Sequence, residues 1–212
     1  ILPLKTRFIS SGQQLLRTDI EDKFSLSRSS VDKTHKILDA IKPNETILIS
    51  DYNKGYLNIE IINHIVALAR NKNVEYICDP HPKNINFFNY AYSITPNKKE
   101  ASEFLQMVIN KNNYKQVLDK LEQDLKIRYP CITLGSEGCI AKNKDQYIHI
   151  PSESKEVFDV TGAGDTLLAG LLKGKILGKN IFEALKYANK LAGLSVSYIG
   201  AYIPSKSDFE NL

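Results

Sequence analysis

The stretch that decides the fold lies towards the carboxyl end of the chain and reads Asp159-Val160-Thr161-Gly162-Ala163-Gly164-Asp165. It runs directly into an apolar, helix-like segment at residues 166–172. The small residues at 162–164 allow the backbone to approach a ligand closely. Unpaired N–H groups at the start of a helix, together with the positive end of the helix dipole, form a site for anions. The stretch therefore predicts an anion-binding turn that opens a helix.

Asp165 follows this turn immediately, although a carboxylate beside an anion site repels the anion. The arrangement makes sense if Asp165 takes a proton from a hydroxyl while the N–H groups hold charge that develops on a phosphoryl group. Three other interpretations stay open. An Asp in the first turn stabilises any helix. A calcium loop would need EF-hand spacing and a closing Glu, and a dinucleotide fingerprint would need Gly where Leu167 stands.

Outward from this turn, short apolar runs alternate with helical patterns. Strands are predicted near residues 46–51, 74–78, 91–95 and 131–134, with a hairpin over 138–151. Helices are predicted at 31–41, from 58 and from 97, at 115–125, 162–177 and 181–198. Residues 6–19 read as an extended segment with a turn at Ser11-Gly12. Alternating strands and helices predict an α/β fold with a mostly parallel sheet and right-handed crossovers.

Composition narrows the classes of function. The chain has 212 residues and 42% hydrophobic content, enough for one α/β domain or two small ones. Lys and Arg number 28 against 24 Asp and Glu, so the net charge is +4 with lysines scattered along the chain. This balance favours a small anionic substrate over nucleic acid, which needs a basic stripe interleaved with aromatic residues.

Other features of the sequence concern the cellular location of the protein and whether the chain is part of a longer one. No apolar run is long enough to span a membrane, and the three cysteines show neither C-x-x-C spacing nor a nearby His, which argues against a zinc site or a disulfide framework. We expect a cytoplasmic protein. The chain begins with Ile1 and its single methionine is Met107, from which we expect a fragment of a longer protein.

Three further polar stretches follow predicted strands, where open α/β sheets place their ligands. They are Thr95-Pro96-Asn97-Lys98-Lys99-Glu100, Ile132-Thr133-Leu134-Gly135-Ser136-Glu137-Gly138 and Ser50-Asp51-Tyr52-Asn53-Lys54-Gly55. Each also has an ordinary explanation. Asn97 and Glu100 have the spacing of a helix capping box, the second stretch fits a plain hairpin turn, and Lys54 is a residue common on loops.

Together these stretches resemble the ribokinase-like (PfkB) family of carbohydrate kinases. Residues 159–165 resemble its D-T-x-G-A-G-D signature with Val160 in place of Thr, and residues 97–100 match its N-x-x-E motif. Residues 133–138 are similar to its T-x-G-x-x-G nucleotide turn. The resemblance implies a ribokinase-like three-layer α/β/α fold with a mostly parallel sheet, plus part of a β lid.

Within the family, the chain is most similar to the heptose 7-phosphate kinase domains of ADP-heptose synthesis enzymes. The stretches that carry this similarity are Thr6-Arg7, residues 13–19, 50–55 and 157–161, and Asp79-Pro80-His81-Pro82-Lys83. The resemblance extends from about residue 6 to residue 204. The family's first strands and its Gly-Gly sugar motif have no counterpart here, so much of the sugar pocket is expected to be absent from the chain.

The resemblance implies a role for each matching residue. Asp165 would be the base for the sugar's anomeric hydroxyl, and Gly162, Ala163 and Gly164 would form the anion hole. ATP and Mg²⁺ would be bound by Asn97, Lys98, Lys99, Glu100, Thr133, Gly135, Glu137, Gly138 and Asn189, with Glu100 serving the metal. A monovalent cation such as K⁺ would lie near Asp159, Thr161, Ser195 and Gly200. The phosphorylated sugar would contact Asp51, Lys54, Arg7 and Arg17.

The expected enzyme is therefore a carbohydrate kinase that makes heptose 1,7-bisphosphate for lipopolysaccharide core synthesis. Two alternatives remain: a kinase for ribose or a fructose phosphate, and a nucleotide-binding module without activity of its own. We expect residues 1–28 to be a remnant of lid or edge strands and residues 29–212 to be the ATP-binding and catalytic portion. Neither nucleic acid nor membrane is an expected partner, and a homodimer is expected for the full-length protein.

Overall fold

The computed structural model describes residues 4–10, 13–20, 24–154 and 156–210. The predicted turn at Ser11-Gly12 lies outside these residues. Within them the strands are β1 (Leu4–Ser10), β2 (Gln13–Ile20), β3 (Thr46–Ser50), β4 (Glu75–Asp79), β5 (Ser93–Ile94), β6 (Tyr129–Thr133), β7 (Cys139–Asn143) and β8 (Gln146–Ile150). The helices are α1 (Arg28–Asp39), α2 (Ile59–Asn71), α3 (Lys98–Leu105), α4 (Tyr114–Leu125), α5 (Ala163–Ile176), α6 (Ile181–Ser195) and α7 (Lys206–Glu210).

Strands β3 to β8 form one six-stranded sheet in which spatial order follows chain order. β3 to β6 are parallel, with register pairs such as Leu48–Ile77 and Ser93–Tyr129. β6, β7 and β8 are antiparallel, because short turns and not helices connect them. The predicted α/β fold with a mostly parallel sheet is confirmed, and so is the hairpin of β7 and β8.

Two hydrophobic cores cover the two faces of this sheet, which gives the three layers that the resemblance implies. Side chains alternate along a strand, and in β4 the fully buried Tyr76 and Cys78 join one core while Ile77 joins the other. In β6, Cys131 and Ile132 divide in the same way. Helices α1 to α4 pack over the first core and helices α5 and α6 over the second.

Helices α5 and α6 pack closely because glycines of α5 face alanines of α6. A Cβ at Gly170 would lie 2.8 Å from the Cα of Ala188, and a Cβ at Gly174 would lie 2.8 Å from the Cα of Ala184. Contacts that short are not tolerated, so only glycine allows this approach. The packing fixes α5, and with it the turn at residues 162–165, against the sheet.

Strands β1 and β2 form a separate antiparallel ribbon. Its register places Lys5 opposite Asp19 and Arg7 opposite Arg17, so these charged side chains share one face. The other face pairs Leu4 with Ile20 and Phe8 with Leu16, and all four side chains are exposed. The prediction that residues 6–19 are extended is confirmed for the described residues, while the division of the chain at residue 28 stays a prediction.

Several element boundaries differ from the sequence-based expectations: α1 begins at Arg28 and not at residue 31, and α6 ends at Ser195 and not at residue 198. The strand expected over 91–95 has only two ladder residues, because Pro96 supplies no N–H and the chain bends into the cap of α3. Helix α7 was not predicted, since its five residues are too few to show an apolar period. No helix within the described residues is both long and apolar enough to cross a membrane.

Replacing Gly174 with Val tests the close packing of α5 on α6. Because the new side chain meets Ala184 backbone and side-chain atoms at 2.8 Å, we expect the free energy of unfolding to fall by about 1–3 kcal/mol. Ala169→Val, on the exposed side of the same helix, controls for helix propensity. Urea unfolding followed by circular dichroism measures both, and equal losses would show that the glycine contact is unimportant.

Candidate active site

Polar side chains gather where the carboxyl ends of the central strands meet the start of α5. They line an open cleft of about 340 Å³ between the sheet and helices α5 and α6, which we call the α5 cleft. Among the residues that form it are Asp79, Thr95, Asn97, Glu100, Thr133, Gly135, Gly138, Ala163, Gly164 and Asn189. Eight of the ten were predicted as site residues from the sequence. Asp79 and Thr95 were not.

The predicted anion-binding turn has the backbone geometry expected of it. Gly162 precedes α5 with φ of +81°, a conformation that strongly favours glycine, and it offers no side chain to cap the helix. Ala163 and Gly164 begin the helix and line the cleft. The first N–H groups of a helix have no partner within the helix itself. The positive end of α5 therefore borders the α5 cleft, and the Ala163 N–H donates to the Val160 carbonyl oxygen at 3.3 Å.

Asp165 sits in the first turn of α5. Its carboxylate accepts hydrogen bonds from the Ser50 hydroxyl, at 2.9 Å, and from the Tyr52 hydroxyl, at 2.6 Å. Ser50 and Tyr52 line a cavity of about 590 Å³ beside β3, α1 and α2, called here the β3 cavity. Asp165 lines neither cavity itself, but its two hydrogen-bond partners line the β3 cavity and its chain neighbour Gly164 lines the α5 cleft.

Asp79 is the residue that the sequence analysis passed over, although its position as an acid ending a buried strand was a usable signal. Thr95 donates to it at 3.3 Å, and a Cβ at Gly164 would lie 3.8 Å from its Oδ2. Burial, followed by repulsion from Glu100, raises the pKa of Asp79 to about 7. Its ionised form is therefore disfavoured unless a positive charge lies nearby. A carboxylate in this condition that lines a cleft is a suitable ligand for a cation.

The N-x-x-E motif forms the capping box that its spacing predicts. Asn97 Oδ1 accepts from the Glu100 N–H at 3.0 Å, and Glu100 Oε2 accepts from the Asn97 N–H at 2.8 Å. The capping role is compatible with a role in ligand binding, because Asn97 and Glu100 also line the α5 cleft. The box fixes the Glu100 carboxylate near Asp79. Asn97 is further tied to Thr133 by a parallel bridge.

The far end of the cleft is formed by the turn after β6 and by α6. Gly138 has φ of +87°, and a Cβ there would lie 1.9 Å from the Ile150 carbonyl oxygen, so the turn requires glycine. The buried Asn189 donates from its amide to the Pro151 carbonyl oxygen at 2.7 Å. Val157, Val160 and Val196 add apolar surface. This end of the cleft has the apolar walls and few polar groups that suit a planar ring.

The residues predicted to hold a monovalent cation surround one carboxylate. Asp159 accepts from the N–H of Thr161 at 2.9 Å and from the N–H of Gly200 at 3.0 Å. Hydrogen bonds from Thr161, and then from Gly200, lower the pKa of Asp159. Ser195 differs, because it is buried and its hydroxyl donates to the Ala192 carbonyl oxygen at 2.8 Å.

Two of the four predicted substrate residues, Asp51 and Lys54, line the β3 cavity. Lys5, which the sequence analysis did not single out, lines it as well, so Lys5 and Lys54 give the cavity a basic rim. Arg7 and Arg17 do not line the cavity. Arg7 acts electrostatically on Asp159, and Arg17 forms an ion pair with Asp19 at 2.5 Å.

Asp51 is buried beneath this rim. Its two oxygens accept from the Asn53 N–H and from the Asn84 amide, each at 2.8 Å.

Three of the nine residues predicted to bind ATP and Mg²⁺ do not line the α5 cleft. The Lys99 ammonium group lies 3.9 Å from Glu103 on the exposed side of α3, and the Glu137 carboxylate lies 3.3 Å from Lys111. Lys98 is half-buried at the start of α3. A signature motif identifies a position along the chain but not the direction of each side chain, so its intervening residues need not face the ligand.

Fold and site together define the class of protein. The family model of the pfkB family carbohydrate kinases matches residues 7–208, and the chain belongs to that family. Among curated relatives, the bifunctional protein HldE of Sulfurimonas denitrificans is 35% identical over 208 residues, covering 97% of this chain and 43% of the relative. HldE of Helicobacter acinonychis is 36% identical over 207 residues, covering 95% and 44%. The chain thus spans less than half the length of these relatives.

Solved structures share the fold. Escherichia coli phosphofructokinase-2, in complex with substrates and products, superposes with a TM-score of 0.83 at 14% identity, covering 99% of this chain and 68% of its own. Thermotoga maritima ribokinase superposes with a TM-score of 0.64 at 25% identity, covering 82% and 60%. The predicted ribokinase-like fold is confirmed.

Asp79 makes stability depend on pH. Its pKa is about 7 in the folded chain against 3.8 as the reference, so between these values the folded state binds more protons and the free energy of unfolding falls as pH rises. Asp79→Asn removes this loss. We expect it to stabilise the chain by roughly 1–3 kcal/mol at pH 8, after allowing for partial solvent screening, and to have little effect near pH 4.

Thermal or urea unfolding at several pH values measures the difference. Asp145→Asn, at the exposed hairpin tip, is the matched control and should change stability by less than about 0.5 kcal/mol throughout. A constant offset between Asp79→Asn and the unmutated chain across pH would contradict the expectation.

Proposed function

We propose that the chain is the nucleotide-binding and catalytic part of an ATP-dependent kinase. In this proposal the enzyme transfers the γ-phosphoryl group of ATP to the anomeric hydroxyl of heptose 7-phosphate and yields the 1,7-bisphosphate for ADP-heptose and lipopolysaccharide core synthesis. The observation that carries it is that Asp165 contacts Ser50 and Tyr52, which line a cavity with a basic rim, while its neighbour Gly164 lines a cleft that reaches a helix N-terminus. Similarity to HldE proteins supports the choice of sugar.

The proposed chemistry is a balanced phosphoryl transfer. Asp165 accepts the proton of the acceptor hydroxyl as that oxygen bonds to the γ-phosphorus, and the bond from phosphorus to the ADP oxygen breaks. The N–H groups at residues 162–164 hold the charge on the phosphoryl oxygens, with the Ala163 N–H exchanging its 3.3 Å contact to the Val160 carbonyl oxygen for the phosphoryl group. ATP lies along the α5 cleft, its base near Asn189 and its phosphates towards Asn97 and Gly164. Catalysis then rests on positioning and charge stabilisation more than on covalent chemistry.

The donor set in the cleft fits Mg²⁺. Asp79 and Glu100 are neighbouring carboxylates whose mutual repulsion contributes to the raised pKa of Asp79, and a divalent cation would relieve it. Mg²⁺ keeps most of its water ligands and needs only one or two carboxylates. The described residues contain no group of three His, Cys, Asp or Glu side chains that could hold a metal. When bound, Mg²⁺ neutralises charge on the ATP phosphates.

The sugar phosphate is assigned to the basic rim of the β3 cavity. Lys5 and Arg7 share the charged face of the β1–β2 ribbon with Arg17, and Lys54 approaches from the loop after β3. A phosphate with a charge near −2 is held best by several cations at once. For Asp51 we propose an indirect role, holding this loop through its bonds to Asn53 and Asn84.

A monovalent cation belongs to the proposal as well. Escherichia coli phosphofructokinase-2, which shares the fold with a TM-score of 0.86, has been solved in complex with potassium. The carboxylate of Asp159, with Thr161 and Gly200 around it, is the candidate site in this chain. The cytoplasmic location and the homodimer remain predictions.

The acceptor can be tested with the product of the complete natural reading frame. Heptose 7-phosphate, ribose and fructose 6-phosphate are each offered with ATP and Mg²⁺, and ADP release is measured. We expect kcat/KM for heptose 7-phosphate to exceed the values for ribose and fructose 6-phosphate by at least about 100-fold. The reason is that the wrong sugar would leave polar groups of the proposed sugar site without hydrogen-bond partners. Preference for ribose or fructose 6-phosphate would replace the assigned substrate while leaving the kinase class intact.

Asp165→Asn tests the base. The variant should lower kcat by about 10²–10⁴-fold while leaving ATP affinity nearly unchanged, since general-base catalysis contributes in that range and the cleft itself is untouched. Steady-state kinetics and calorimetry with ADP measure the two quantities. An unchanged kcat would remove Asp165 from the mechanism.

Arg7→Ala tests the phosphate site. Loss of a charge-assisted hydrogen bond, worth about 1.5–3 kcal/mol, should raise KM for the sugar phosphate by roughly 10–100-fold. KM for ATP should stay within about twofold, since phosphate and ATP are assigned to different cavities. Arg70→Ala, on the exposed surface of α2, serves as the control. Equal effects on both substrates would contradict the assignment.

A second candidate function applies to the 212-residue chain by itself: nucleotide binding without turnover. It is favoured by the exposed, unpaired edge that β3 presents in the described part of the sheet, beside the proposed sugar site. Calorimetry with ADP and Mg²⁺ together with a kinase assay on this chain distinguishes the two. We expect binding with little turnover, whereas robust turnover would show that the 212 residues hold a complete sugar site.

A further inference from the structure

Asp165 is held by two hydroxyl groups that approach from the end of β3. Ser50 donates to Oδ1 at 2.9 Å and Tyr52 donates to Oδ2 at 2.6 Å. The partners lie 115 and 113 residues apart in the sequence, so folding alone brings them together. We propose that Tyr52, assisted by Ser50, is a positioning residue that fixes the Asp165 carboxylate for proton transfer. This inference rests on the proposed function.

Two hydrogen-bond donors can fix the orientation of the Asp165 carboxylate, which a single donor cannot. A carboxylate with a single donor can still turn about its Cβ–Cγ bond, whereas one donor on each oxygen fixes its plane. An ionised carboxylate has about four acceptor positions, so two remain for a substrate hydroxyl. A base must lie within hydrogen-bond reach of the proton that it takes, and small misplacements cost rate steeply.

The loop that carries Tyr52 is itself fixed at both ends. The Asp51 N–H donates to the Asp79 carbonyl oxygen at 2.9 Å, and the Asp51 side chain accepts from Asn53 and Asn84. Gly55 has φ of +101°, and a Cβ there would lie 1.9 Å from the Phe24 carbonyl oxygen. The loop is therefore held independently of Asp165, which allows Tyr52 to position Asp165 and not the reverse.

The Tyr52 phenol acts as a donor and not as a rival base. Its hydrogen bond to Asp165, and then burial, raises the pKa of Tyr52. The phenol therefore stays protonated across neutral pH and cannot accept the proton of the sugar hydroxyl. Tyr52 is 56% exposed and Asp165 is exposed as well, so the contact leaves the Asp165 carboxylate open to a ligand beside the β3 cavity.

Kinetics on the product of the complete reading frame test the proposal. Tyr52→Phe should lower kcat about tenfold, the effect of losing one charge-assisted hydrogen bond, with KM for ATP within about twofold. The matched control is Tyr147→Phe, which removes an equal 2.6 Å bond from a tyrosine to Asp119 remote from the cleft and should leave kcat unchanged. A kcat that stays the same or rises in Tyr52→Phe overturns the proposal.

A double-mutant cycle separates positioning from a general structural role. If Tyr52 acts through Asp165, then Tyr52→Phe has no further effect on kcat in the Asp165→Asn background. A further tenfold loss in that background would show that Tyr52 acts on something else, and the proposal would fall.

Titration of the phenol tests the contact without any turnover. With ¹³Cζ-labelled tyrosine, the Tyr52 resonance, assigned from its loss in Tyr52→Phe, should titrate above the usual range in the 212-residue chain. In Asp165→Asn its pKa should fall towards that of free tyrosine. Lack of turnover with every sugar would overturn the proposed function, whereas an ordinary Tyr52 pKa in the unmutated chain would overturn the positioning contact independently.

Discussion

The site depends on a concentration of negative charge that the fold holds in place. Asp79, Glu100 and Asp165 lie at one edge of the sheet, and burial together with repulsion from the other two raises the pKa of Asp79 to about 7. Like charges this close are unfavourable unless cations or hydrogen-bond donors accompany them. Asp165 has the positive end of α5 and two hydroxyls, and Glu100 has the Asn97 N–H. Asp79 has only Thr95 among the described residues, which makes it the natural ligand for an added cation.

The frame that sustains this arrangement is provided by apolar packing. The parallel strands bring their carboxyl ends to one edge, and alternate side chains anchor each strand to both cores. Gly170 and Gly174 allow α5 to pack closely on α6. This packing fixes the position of residues 162–165 relative to the carboxyl edge of the sheet. A rigid frame of this kind is what allows weakly compensated charges to persist at a site.

Two cavities with different linings lie near Asp165. The α5 cleft has apolar walls at one end and the start of α5 at the other, while the β3 cavity has a rim formed by Lys5 and Lys54. In the proposed reaction, the donor and acceptor phosphates would lie on different elements. The strand register of the β1–β2 ribbon places Lys5, Arg7 and Arg17 on one face and the apolar residues on the other, and Lys5 of the charged face lines the β3 cavity.

By itself the sequence determined the features that depend on neighbours along the chain. Short-range chemistry is sufficient for the capping box of Asn97 and Glu100, the helix that begins after Gly162 and the strand–helix alternation, so these were predicted correctly. Tertiary structure alone decided that Tyr52 meets Asp165 across 113 residues and that the half-buried Asp79 lies close enough to Glu100 for their charges to repel. It also decided that Lys99 and Glu137 face away from the cleft. Such outcomes follow from strand register, helix packing and desolvation, which no local pattern of residues contains.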